Sequence, residues 1–177
     1  MMIATLFALA LAWAPQETEQ MRVRPSSEAD AVADFERTCV AGLTNPDVLR
    51  RAAAASPRGY VRQAGDDSAI SWRNWTSPYG TLHYLQGGPE TSTAFVPECN
   101  FTSFTRAAVN RRALYGALEA LAVRNARSGL AESEQGGHRA WSWLGAAREP
   151  RMVIAVLDRK TPNQITLSLR LMAVGTR

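Results

Sequence analysis

The spacing of apolar residues predicts two short helices near the start of the folded part of the chain. The first has apolar positions at intervals of three and four, which places them on one helix face: Val32, Phe35, Cys39 and Leu43. Ser27 stands three residues before Asp30, which is the spacing of a capping box at a helix start. Asn45 followed by Pro46 predicts the start of the second helix, which continues over residues 47–55.

Short apolar stretches separated by Gly, Pro and Asp follow these helices. Their alternating pattern predicts strands of an antiparallel meander. The predicted strands are residues 60–64, 69–75, 81–86 and 91–96.

A long run with helical periodicity comes next, over residues 103–128. It combines a broad apolar stripe with charged residues on the other side, and Gly129 is a natural stop. The polar segment 130–137 is predicted to be a loop.

Three more strands are predicted in the last third of the chain: residues 139–144, 151–157 and 164–174. The last two should form a hairpin, because residues 158–163 have turn composition. In the final strand the apolar positions alternate strictly and should point inward: Ile165, Leu167, Leu169 and Leu171.

The order of elements predicts an α+β fold, because strands and helices come in runs and do not alternate. We expect an antiparallel sheet of about six to seven strands, packed against one long helix, with two short N-terminal helices. The chain has 177 residues, which suits one domain, and we assign it to residues 30–177.

The first 14 residues contain no charged side chain and are mostly apolar. Their length matches the apolar region of a signal peptide and is too short to span a bilayer. We therefore predict a signal peptide over residues 1–14, cleaved after Ala12 or, less favourably, after Ala14, and a flexible leader over 15–29. The alternative is an apolar first element of the fold. Export would give a soluble periplasmic or secreted protein without a transmembrane segment.

Cys39 and Cys99 are the only cysteines. In an exported chain, two cysteines predict a disulfide, here across a separation of 60 residues. Closing such a loop stabilises the folded state by about 4 kcal/mol. Two buried free thiols and a catalytic thiol are the alternatives.

Aromatic and basic residues cluster near the predicted strand 139–144. Trp141 and Trp143 should project from one face, beside Arg139, and His138 follows a Gly-Gly step. Such a group can stack on sugar rings or clamp an apolar ligand. The alternative is that the two indole rings fill the core.

No catalytic or metal pattern occurs in the sequence. His83 and His138 are the only histidines and lack metal-ligand spacing, and nucleophile-elbow and phosphate-loop motifs are missing. We therefore predict no catalytic residue, no metal and no cofactor. A hydrolase of envelope material with His83 or His138 as the base is the rival hypothesis.

The net charge of +4 and the absence of a run of five like charges argue against a nucleic-acid-binding arm. The expected partner is an anionic or glycan component of the cell envelope. The leading function is thus a non-enzymatic binding or accessory role in the envelope. An interaction subunit that pairs through a sheet edge is a third possibility.

The layout of the chain resembles that of small exported proteins of GC-rich proteobacteria that share no assigned activity. The resemblance covers about residues 34–174. It is carried by Phe35 four residues before Cys39, an Ala-rich short helix, the Gly59-Tyr60 step, and Cys99 before a long helix. It implies an exported single domain and transfers no catalytic residue.

Overall fold

The computed structural model describes residues 23–63, 72–85 and 97–172. Its helices are α1 (Glu28–Phe35), a π-helical segment (Glu36–Val40), α2 (Pro46–Ala55) and α3 (Arg111–Asn125). Its strands are β1 (Val61–Arg62), β2 (Trp72–Ser77), β3 (Gly80–Leu85), β4 (Glu98–Phe104), β5 (Ser128–Gln135), β6 (His138–Leu144), β7 (Pro150–Val156) and β8 (Gln164–Leu171).

The strands form one antiparallel sheet in the order β1-β2-β3-β4-β8-β7-β6-β5. The first four strands run from one edge to the middle. Helix α3 then carries the chain to the opposite edge, and the last four strands return to pair β8 with β4. The predicted α+β class with an antiparallel sheet is confirmed, and the described part has eight strands where about six to seven were expected.

Both N-terminal helices begin as their sequences predict. The Ser27 side chain accepts a hydrogen bond from the Asp30 backbone N–H and so caps α1. Asn45 caps α2 in the same way, with Pro46 at the first helical position. The segment before α1 is hydrogen-bonded to the sheet, because Ser26 N–H donates to the Phe104 carbonyl over 2.8 Å.

The long helix is shorter than predicted. Residues 98–104 form the central strand β4, with Cys99, Phe101 and Ser103 buried on one side, and α3 begins only after the cap residue Asn110. The predicted helix began too early, because residues 103 and 104 end a strand that is paired with β3 on one side and with β8 on the other.

The segment 130–137 was predicted as a loop, and this is wrong. Residues 128–135 form β5, which pairs with β6 through a tight turn at Gly136-Gly137. Both glycines have positive φ, of 57° and 79°, as this class of hairpin turn requires. The prediction failed because every residue of β5 is exposed, and so the strand shows no apolar alternation. The predicted strand 91–96 lies outside the described residues.

The core lies between one face of the sheet and the helices. Inward side chains of neighbouring strands form continuous rows across the sheet, of which one is Tyr84, Cys99, Leu169, Val153 and Trp141. Helix α3 buries its apolar stripe on this face through Leu114, Leu118, Leu121 and Ala122. Glu36, the first residue of the π-helical segment, connects this segment to α3, since its carboxylate accepts hydrogen bonds from Arg124 and Asn125. This arrangement fixes α3 over β6, next to the edge strand β5.

Candidate ligand groove between α3 and β6

Cys39 and Cys99 form a disulfide, which confirms the predicted pairing. The Cα atoms are 5.6 Å apart and both residues are fully buried. The bond ties the π-helical segment after α1 to the central strand β4. Because both sulfurs are bonded to each other, neither is available as a thiolate nucleophile in this state.

The four residues predicted to bind a ligand lie on β6 but on two different faces of the sheet. Arg139, Trp141 and Trp143 project toward the helices, while His138 belongs to the opposite face because successive strand residues alternate. The structure therefore brings Arg139 and Trp141 together and separates His138 from them.

Trp141 and Trp143 are both core residues. Their exposed fractions are 2% and 1%. Neither indole N–H has a hydrogen-bond acceptor within the described part of the chain. A ligand therefore cannot stack flat on either ring in this conformation.

A groove of about 540 Å³ lies beside Trp141, between α3 and the β5–β6 hairpin. Helix α3 contributes one face to it, in i, i+3, i+4 and i+7 spacing. The lining residues are Arg112, Tyr115, Gly116, Glu119, Glu132, Arg139 and Trp141.

Arg139 connects the two walls of this groove. Its guanidinium lies over the ring of Tyr115, 4.9 Å from the centroid, and 5.9 Å from the centroid of Trp141. It also forms an ion pair with Glu132 on β5. The side chain stays 47% exposed, so it can exchange part of these contacts for a ligand.

The lining combines two guanidinium groups with two carboxylates. Arg112 and Arg139 donate only, whereas Glu119 and Glu132 accept. Together with the half-buried ring of Tyr115, these groups can bind and orient a polar ligand that has both donors and acceptors. The lining contains no Ser, Cys or His for nucleophilic or imidazole-base catalysis.

No sequence pattern singles out Tyr115, Arg112, Glu119 or Glu132, because they become neighbours only when α3 packs beside β5 and β6. One local signal was present. Gly116 stands in the middle of α3, where glycine costs about 1 kcal/mol relative to alanine. A Cβ at this position would meet no atom within 4 Å, so packing does not require the glycine.

A second polar cluster surrounds the buried carboxylate of Asp34. It accepts hydrogen bonds from Ser56 Oγ and from the Tyr60 hydroxyl, each over 2.9 Å, and Arg58 Nε lies 3.3 Å away. Burial, together with the negative charge of Asp34, raises the pKa of Tyr60 far above its ordinary value. Arg58 is buried and also donates to Ser103 Oγ on β4. The cluster is enclosed and joins α1, the segment after α2 and the sheet, which is a structural role.

The two histidines lie apart from the groove. His83 Nδ1 is 2.5 Å from Asn74 Oδ1, on the face of the sheet opposite the helices. His138 follows the β5–β6 turn. Among the residues that the structure describes, no group of three or more His, Cys, Asp or Glu side chains is arranged to hold a metal ion.

Comparison of the chain with protein-family models, with characterised proteins and with solved structures finds no match. None of the helices over residues 23–63, 72–85 and 97–172 has the length and hydropathy needed to cross a bilayer.

Proposed function

We propose that this chain is an exported single-domain protein with a non-enzymatic binding role in the cell envelope, and that its ligand occupies the groove between α3 and β6. The observation that carries the proposal is the groove itself. It is a cleft with charged and aromatic side chains, built around Arg139 and next to Trp141, at the position where the sequence concentrates aromatic and basic residues.

Two features support export. The N-terminal 14 residues have the composition of a signal peptide, and both cysteines are joined in a disulfide. Disulfides persist in oxidising compartments such as the periplasm and are rare in the reducing cytosol. A buried disulfide between the helical layer and the central strand is therefore what an exported domain of this size would use for stability.

The groove favours an anionic or glycan ligand. Arg112 and Arg139 provide charged donors, and the half-buried ring of Tyr115 offers an apolar surface beside them. Glu119 and Glu132 would accept hydrogen bonds from hydroxyl groups, as in sites that recognise sugars. Trp141 would act indirectly, as a buried part of the groove lining.

A thermal-shift screen of the oxidised protein against glycans, phosphates, sulfates and carboxylates tests the proposal. A ligand that binds only the folded state raises the melting temperature by mass action. We expect a hit whose shift is lost in Tyr115→Ala and in Arg139→Ala. Arg51→Ala is the matched control, because Arg51 is exposed on α2, which contributes no residue to the groove.

Two results would refute the proposal that the ligand binds in the groove. One is a hit that survives both groove substitutions unchanged, since the ligand would then bind elsewhere. The other is the absence of any hit across these ligand classes. Turnover of a bound glycan, seen as release of product, would favour the hydrolase alternative over a binding protein.

A further inference from the structure

The edge strand β5 is a second surface at which this protein can bind a partner. Its eight residues pair only with β6, and all eight are exposed. The other edge strand, β1, has only two residues. An edge strand presents one row of unpaired backbone N–H and C=O groups, which is a template for an added strand.

The charge of β5 selects the kind of partner. The strand has two carboxylates, Glu132 and Glu134, and no basic residue. Arg139 on β6 lies directly opposite Glu134 in the strand register but forms its ion pair with Glu132, so Glu134 has no ion-pair partner in the part of the chain that the structure describes. Charges directly opposite each other on paired strands stabilise when they are unlike and destabilise when they are like.

A second copy of this chain does not fit the edge well. Antiparallel pairing of β5 with itself would bring four carboxylates to one seam. The strand also has a bulge between Ser128 and Ala131. The four like charges disfavour a second copy, whereas the bulge lies before residues 131–135 and leaves that segment open to a strand of opposite charge.

We propose that β5 binds an extended segment of a partner protein that has Lys or Arg at alternate positions and adds as a ninth strand to the sheet. Backbone hydrogen bonds along residues 131–135 provide the affinity. The basic side chains opposite Glu134 provide the selectivity. This partner site is separate from the ligand groove of the proposed function, although Glu132 borders both.

A synthetic peptide of alternating Val and Lys, long enough to span β5, is the probe. The same peptide with Glu in place of Lys is its charge control. Binding to the oxidised protein is measured by fluorescence anisotropy, and the site is located by hydrogen–deuterium exchange. We expect the Lys peptide to bind, to slow exchange of the amides of residues 131–135, and to bind more tightly than the Glu peptide.

Two charge-reversal variants distinguish binding at β5 from general electrostatic attraction between the peptide and the protein. Glu134→Lys should weaken binding of the Lys peptide by about tenfold, since an attractive cross-strand contact becomes repulsive. Asp158→Lys makes the same change in charge in the exposed β7–β8 loop and should leave binding unchanged. Equal effects of the two variants, or protection at a strand other than β5, would overturn the inference.

The outcome also distinguishes this site from the groove. Suppose that the Lys peptide does not bind, while a small ligand binds the parent protein and not Arg139→Ala. The ligand site in the groove is then supported, and the proposed binding of a partner strand is refuted. If the peptide protects β5 and the ligand screen gives no hit, the reverse holds.

Discussion

At the scale of single residues, the interior depends on carboxylates that offset buried positive charge. Asp34 and Arg58 have side chains only 3% and 7% exposed, so neither charge is stabilised by water. Their contact, with the hydroxyls of Ser56 and Tyr60, replaces that hydration. Taking away one partner leaves the other as an uncompensated buried charge, which costs more than the intact pair contributes.

Asp34→Asn tests this directly. The amide keeps the shape of the side chain but no longer neutralises Arg58, so we expect the free energy of unfolding to fall by about 3 kcal/mol. Asp47→Asn is the matched control. Its ion pair with Arg50 is well exposed and should contribute less than about 0.5 kcal/mol. Urea denaturation of the two variants measures the difference, and equal losses would contradict this role of Asp34.

Glu149 should make stability depend on pH. Burial of its side chain opposes ionisation, but a hydrogen bond from its own backbone N–H and the charge of Arg151 outweigh it and lower the pKa of Glu149. Arg151 in turn donates to the carbonyl of Val40, at the end of the π-helical segment. A carboxyl whose pKa is lowered by folding stabilises the protein above its unfolded pKa of about 4.3, and this contribution is lost as the pH falls through the lower folded value.

Glu149→Gln should therefore destabilise the protein more at pH 6 than at pH 3. The free energy of unfolding of the variant and the parent protein, measured at both pH values, checks this. A difference that stays constant between the two pH values would show that Glu149 contributes through packing and not through its charge.

At the scale of elements, the sequence predicted helix starts and strands correctly where the signal lay in the element itself, as a capping residue or as alternation of apolar positions. Ser27 and Asn45 marked the starts of α1 and α2, and the alternation of Ile165, Leu167 and Leu169 marked β8. It failed at β4 and β5 for opposite reasons. β4 is central, so its pairing partners on both sides decide its conformation, whereas β5 is at the edge and needs no apolar face.

Two helical glycines should respond in opposite ways to substitution by alanine. Gly116→Ala should raise the free energy of unfolding by about 1 kcal/mol, because a Cβ there meets open space. It should also weaken ligand binding, since the added methyl group enters the groove. Gly42→Ala should destabilise the protein, because its Cβ would clash with Leu49 Cβ on α2.

Thermal denaturation of both variants measures these two changes in stability. A loss of stability in Gly116→Ala would mean that the glycine is required by the backbone of α3. In that case Gly116 would no longer count as a sequence feature that indicates the groove.

At the scale of the whole molecule, the disulfide connects the two layers of the fold. Cys39 lies between α1 and α2, Cys99 lies at the centre of the sheet, and the bond closes a loop of 60 residues. Such a constraint on the unfolded chain stabilises the fold by about 4 kcal/mol. The pairing was predictable because only two cysteines exist. The groove was not, because Tyr115, Glu132 and Arg139 come from three elements that only the tertiary fold brings together.

The proposal that this is an exported, disulfide-stabilised domain is tested most directly by one intact-mass measurement. The full chain is produced in a Gram-negative host, and the protein is recovered from the periplasmic fraction without reductant. We expect a chain that begins at Trp13 and is lighter by two hydrogen atoms than its reduced form. An uncut chain that is found only in the cytosol, with two thiols that react with an alkylating reagent, would contradict the proposal.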